Sequence, residues 1–158
     1  MALNIQLTSS PSGALKRPRN EDQWKSNAAK KQRNLGLEYL SPKNDKIVPA
    51  RSVGQPCGCK KNCFDRVGLE NIHQIHKQYW ASGDWNIQTA YLQSHTAEMD
   101  VKRRYGASAK RTCTRQYHVV VASEKIIVCK KAFASIHGIN PTRPHNALAK
   151  NRNTSAGM

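Results

Sequence analysis

The stretch Cys57-Gly58-Cys59-Lys60-Lys61-Asn62-Cys63 carries the sharpest chemistry in this chain, and the reading of the fold starts from it. Thiolates are soft, compact ligands, and zinc takes four of them, or a mixture with imidazole, at the corners of a tetrahedron. Three cysteines in one loop can bend around one ion. Gly58 allows the tight turn that the first pair needs, and Lys60 and Lys61 offset the negative charge of a thiolate-rich site. The spacing is C-x-C-x3-C, which departs from the familiar C-x2-C, and a cluster of free thiols is the competing reading. A fourth ligand has to come from elsewhere. Cys129 is the first candidate, because Ile-Ile-Val-Cys followed by a helical pattern places it at a strand-to-helix junction. Cys113, His73 and His76 compete with it.

Working outward, Leu69, Ile72, Ile75, Tyr79 and Trp80 recur at helical spacing and predict an amphipathic helix over 66–81. Gly83 ends it, and Asp84 caps a second helix with Ile87, Tyr91 and Leu92 on one face. So tight a connection predicts a helical hairpin with the aromatic residues between its arms. Tyr117–Val121 and Lys125–Val128 are β-branched runs separated by Ala122-Ser123-Glu124, which predicts a short hairpin. Residues 129–137 read as a helix with Phe133 and Ile136 inward, broken at Gly138. Asn140-Pro141 opens another helix, which Pro144 should keep short or delay. Upstream, Asn20–Asn34 reads as a helix capped by Asn20, with Trp24 and Ala28 as a narrow apolar stripe and Gly36 as its stop.

The expected fold is therefore mainly α with a short β-hairpin: a small zinc-stabilised helical domain with a basic disordered N-terminal tail. Its parts are a disordered tail over 1–15, a basic helix over 16–40, a Pro/Gly-marked linker over 41–56, the cysteine-containing helical domain with its hairpin over 57–150, and a disordered tail over 151–158. The length of 158 residues suits one domain with tails, or two very small modules.

Charge narrows the function. Lys and Arg number 26 against 10 acids, for a net charge of +16. A chain so basic repels itself unless a polyanion neutralises it, and phosphate contacts that release counterions make nucleic acid the expected partner. No apolar run approaches a membrane span, and MALNIQLTSSPSG does not read as a secretory signal, so no membrane partner is expected. Five cysteines, three of them crowded, point to reduced thiols or metal ligation over disulfides.

The clusters Lys16-Arg17-Pro18-Arg19 and Lys30-Lys31-Gln32-Arg33 bracket a ten-residue gap, the layout of a bipartite nuclear import signal. This makes an import receptor a second partner and the nucleus the expected location. The same Lys16, Arg17, Arg19, Lys30, Lys31 and Arg33 are candidates for gripping phosphates. Lys102, Arg103, Arg104, Lys110, Arg111 and Arg115, with Tyr105 and Tyr117 nearby, form a second candidate contact stretch that combines cations with stacking rings. Residues 128–150 have a helix-turn-helix silhouette bearing Arg143, His145 and Lys150, which Pro144 disturbs.

Several of these residues also carry a resemblance. Lys16-Arg17-x-Arg19 with Trp24, Lys25, Asn27, Lys30, Arg33, Gly36 and Tyr39 comes first. Cys57, Cys59 and Cys63 follow, then Tyr79-Trp80, Arg115 with Tyr117, and Val128-Cys129-Lys130 with Phe133, Gly138 and Ile139. Their order resembles the N-terminal region of transposase-derived proteins of arthropod and other animal genomes, over roughly residues 16–140. The resemblance implies a DNA-binding front end without the nuclease body of longer relatives, with Cys57, Cys59, Cys63 and Cys129 as the metal ligands. Cys113 has no counterpart there.

Catalysis is not expected, because the acids are few and most sit at helix starts, where capping explains them. An RNA-binding or nucleocapsid-like packaging protein, or an adaptor for an acidic protein, remains the alternative.

Overall fold

The computed structural model describes residues 20–101 and 113–155. Six α-helices and two small antiparallel sheets appear among them, so the fold is an α/β mixture and not mainly α with a single hairpin.

A 3-10 turn over Glu21–Gln23 leads into α1, Lys25–Asn34. Asn20 makes no side-chain cap, and the helix starts later than its sequence suggests. Its buried residue is Ala29, while Trp24 stays 50 % exposed. Gly36 stops it in the left-handed region at φ 70°, directly beneath Trp80, where an added Cβ would meet the indole at 2.6 Å. Strands β1, Tyr39–Leu40, and β2, Ile47–Val48, pair antiparallel. The segment after them is tied down by Arg51 N–H donating to Gly36 O and Gly54 N–H to Ser135 O.

The single helix expected over 66–81 is two helices, α2 over Cys63–Val67 and α3 over Leu69–Ala81. Gly68, at φ 81°, separates them. Ile72, Ile75, Tyr79 and Trp80 are buried as their spacing predicts, whereas Leu69 is 66 % exposed. Helix α4, Trp85–Ser94, is capped by Asp84, whose Oδ1 accepts from the N–H groups of Asn86 and Ile87 at 2.7 and 3.0 Å.

The buried face of α4 differs from the predicted one at one position: Leu92 is buried and Tyr91 half-buried as expected, while Gln88 takes the place of Ile87, which is 59 % exposed. Gln88 tolerates burial because both ends of its amide are satisfied: Nε2 donates to Asn34 O at 2.7 Å, and Oε1 accepts from Arg143 Nη2 at 2.7 Å. The two arms of the expected helical hairpin do meet through aromatic rings, Tyr79 of α3 lying 5.5 Å from Tyr91 of α4 between ring centres, but each arm packs more extensively on another helix. Helix α3 packs on α5, Lys130–His137, and α4 packs on α6, Arg143–Ser155. Pro144 does not shorten α6, because a first-turn N–H has no intrahelical partner to lose.

Strands β3, Thr96–Asp100, β4, Cys113–Val121, and β5, Glu124–Val128, form the second sheet in that order. Tyr117 sits opposite both Thr96 and Val128. Ala122 and Ser123 make the β4–β5 turn, both at positive φ, the two-residue geometry that matches strand twist. Alternation along β4 turns Tyr117 and Val119 toward Phe133 and Ile136 of α5, and Val67 and Ile72 complete the same core.

Gly138 ends α5 at φ 61°, and a Cβ there would lie 2.5 Å from the Ser52 carbonyl oxygen. Gly138→Ala is expected to cost about 2 kcal/mol from backbone strain and the displaced 52–54 segment. Urea denaturation measures this, and an unshifted midpoint would contradict it.

Candidate metal centre

The cysteine loop enters α2 through two left-handed residues, Gly58 at φ 58° and Asn62 at φ 44°. A side chain at Gly58 would meet nothing within 4 Å, so its glycine serves backbone conformation and not clearance. Asn62 N–H donates to Cys59 O at 3.0 Å, which curls the loop so that Cys63 begins the helix with its side chain inward. From the other side of the core, β5 delivers Cys129 to the first position before α5.

The four sulfurs of Cys57, Cys59, Cys63 and Cys129 lie within 4.8 Å of one another, and such a cluster could hold a metal ion. Cys57 Sγ is 3.4 Å from Cys59 Sγ, which is 3.5 Å from Cys63 Sγ. These separations are far beyond a disulfide bond of about 2 Å and close to the edge of about 3.8 Å in a zinc–thiolate tetrahedron with 2.3 Å bonds. None of the five cysteines is in a disulfide.

Backbone amides surround the sulfurs. Cys129 N–H donates to Cys63 Sγ at 3.4 Å, and Ala132 N–H to Cys129 Sγ at 3.3 Å. The second of these sits at the positive end of α5, which favours a thiolate there. The Lys61 amide holds Cys59 low, at about 6, helped by the thiols of Cys57 and Cys63. Burial pushes Cys63 up to about 12 and raises Cys129 as well. Ionisation is thus favoured at Cys59 and opposed by burial at Cys63 and Cys129. A divalent ion among the four sulfurs would favour the thiolate form of each of them.

The competitors for the fourth position are elsewhere. Cys113 Sγ lies 3.8 Å from Glu98 Oε1 on the sheet. His73 is exposed on α3, and His76 directs a buried Nε2 that has no hydrogen-bond partner among the described residues.

Of the candidate phosphate contacts, Lys30, Lys31 and Arg33 are exposed on α1. Arg115 is engaged by Glu98 across β3–β4 at 3.0 Å. Lys16, Arg17, Arg19, Lys102, Arg103, Arg104, Lys110 and Arg111 lie outside the described residues. Arg143 is half-buried, with its guanidinium carbon 5.7, 5.8 and 4.2 Å from the ring centres of Tyr79, Trp80 and Trp85. This cage was not visible from the sequence, since its members come from α3, α4 and α6. No described helix is long and apolar enough to cross a membrane. Comparison of the chain with protein-family models, with curated proteins and with solved structures returned no match to any of them.

Proposed function

We propose that this chain is a zinc-stabilised nucleic-acid-binding module of the nucleus, acting on double-stranded DNA and without catalytic activity of its own. The surplus of 26 basic over 10 acidic residues carries this reading. A chain with that imbalance gains most by neutralising a polyphosphate. The four thiol ligands support zinc in particular, because a closed all-thiolate tetrahedron is a structural zinc environment. The ion staples a modest core and performs no step on a substrate. Lys30, Lys31 and Arg33 offer an exposed basic end of α1 for phosphates. DNA is favoured over RNA by the resemblance to transposase-derived proteins, which also makes the module one derived from a mobile element. The paired basic clusters favour nuclear import.

Binding should be mainly electrostatic. If about four phosphates are neutralised, the affinity for duplex DNA falls about a hundredfold between roughly 50 and 200 mM salt. Lys30→Gln with Lys31→Gln lowers the slope of log affinity against log salt by about 2. Anisotropy titrations with duplex DNA, single strands and structured RNA at both salt levels test the reading. Affinity that is indifferent to salt, or that survives nuclease treatment as binding to an acidic protein, would overturn it.

A further inference from the structure

A cavity of about 210 Å³ opens between α4 and α6, lined by Trp85, Thr89, Thr142, Arg143, Asn146 and Ala147. We propose that it is a pocket for a single unstacked nucleobase, so that the module also grips single-stranded or locally opened nucleic acid. This rests on the nucleic-acid reading above and goes beyond it, since duplex backbone contact needs no such pocket.

The lining fits a base better than an apolar anchor. Trp85 contributes an indole that remains 41 % exposed, a platform on which any base can stack. One face of the ring is covered by a cation, which leaves its exposed part for a base. The Arg143 guanidinium lies 4.2 Å from the Trp85 ring centre and is fixed at its far end by Gln88 Oε1 at 2.7 Å. Gln93 Nε2 donates to Ala147 O at 2.8 Å and holds the two helices at this spacing. Such preorganisation reduces the ordering cost of binding.

The polar groups suit a base edge. Thr89 Oγ1 donates to Trp85 O and Thr142 Oγ1 to Asn140 Oδ1, both at 2.7 Å, so each hydroxyl keeps lone pairs to accept from a base amine. Asn146 is exposed on α6 and offers donor and acceptor side by side, the pairing that reads adenine edges. Ala147 supplies the only aliphatic side chain of the lining. Arg143 is the charged side chain of the lining, and its guanidinium favours the phosphate attached to a base. The volume is below the range of about 300–1,000 Å³ typical of drug-sized ligands and suits one ring system. Bases inside a duplex are stacked and cannot enter; an unpaired or flipped one can.

The test is an anisotropy titration of the zinc-loaded full chain with three labelled polymers of equal length: a single strand, the same strand with abasic sites throughout, and the duplex. The wild type should bind the single strand more tightly than the abasic one. Trp85→Leu should weaken single-strand binding about tenfold, the loss of one base–aromatic stack, while abasic and duplex binding stay within about twofold. Asn146→Ala removes a surface amide and should weaken single-strand binding in the same selective way; it decides the matter if Trp85→Leu loses its zinc or its cooperative unfolding. Equal binding of single and abasic strands by the wild type, or equal losses on all three polymers, would overturn the pocket and leave the duplex reading intact. Failure of the wild type to bind any polymer would overturn both.

Discussion

Cys63→Ser is expected to abolish stoichiometric metal binding and, with it, the cooperative unfolding of the domain. Cys63 is fully buried and lies at the centre of the site: its sulfur is 3.5 Å from Cys59 Sγ and accepts the Cys129 amide at 3.4 Å. Serine keeps the shape but offers a hard, unionised oxygen in place of a soft thiolate. The remaining three ligands cannot close the coordination shell. An ion held here joins the 57–63 loop to Cys129, 66 residues beyond Cys63, and so removes a long loop closure from the unfolded chain. Structural zinc in small domains supplies about 10–16 kcal/mol at neutral pH, as much as the entire stability of about 5–15 kcal/mol of a typical domain. Zinc content by elemental analysis and thermal unfolding by circular dichroism read the two effects together. Cys113→Ser, on the sheet and outside the cluster, should retain about one ion per chain and a wild-type transition. If Cys63→Ser also kept its ion and its transition, the metal centre would be wrong.

The second large effect is a loss of stability in acid that runs through His137. This residue is fully buried. The Phe133 carbonyl at 2.8 Å accepts from Nδ1–H, which leaves Nε2 to accept from the Tyr91 hydroxyl at 3.2 Å. Both ring nitrogens are thereby satisfied in the neutral form. Burial lowers the group from 6.5 to about 4, and the hydrogen bond to Phe133 offsets only part of that. Charges on His95, His76 and Arg143 push the same way. The sign follows directly. Below pH 6.5 the unfolded chain takes up a proton that the folded chain refuses, so stability is complete above 6.5 and is lost progressively as pH falls towards 4.

The gap corresponds to about 3 kcal/mol. His76, His95 and His118 are also held low by burial and steepen the same limb. Protonation of the thiolates acts in the same direction through metal loss. His137→Gln therefore serves as the comparison: it removes one titration and leaves the cysteines in place. Urea denaturation between pH 4 and 7, with zinc in excess, should show a shallower pH slope for His137→Gln than for the wild type. Parallel slopes would assign the acid limb to the metal site alone.

Local rules predicted most of the helices. Asp84 caps α4, Gly138 ends α5 and the 3.6-residue spacing of Ile72, Ile75 and Tyr79 marks the inner face of α3, because each depends on neighbours a turn or less away. The misses have one cause. Thr96-Ala97-Glu98-Met99-Asp100 has little β propensity and becomes a strand only because β4 presents an unpaired edge to it. Ile87 loses the inner position to Gln88 because the partners that satisfy a buried amide lie 54 and 55 residues away. Leu69 is turned outward by the break at Gly68.

By itself the sequence determined the crowding of the first three thiols, the charge imbalance and those helix limits that a single residue sets, such as the cap at Asp84 and the stop at Gly138, since all of these depend on residue type and short spacing. Only the tertiary structure decided that Cys129, and not Cys113, His73 or His76, stands beside the three-cysteine loop. It likewise decided that Arg143 is caged by rings from two other helices. Such meetings depend on packing across the whole core, where burial of Phe133, Ile136 and Val119 outweighs any local preference.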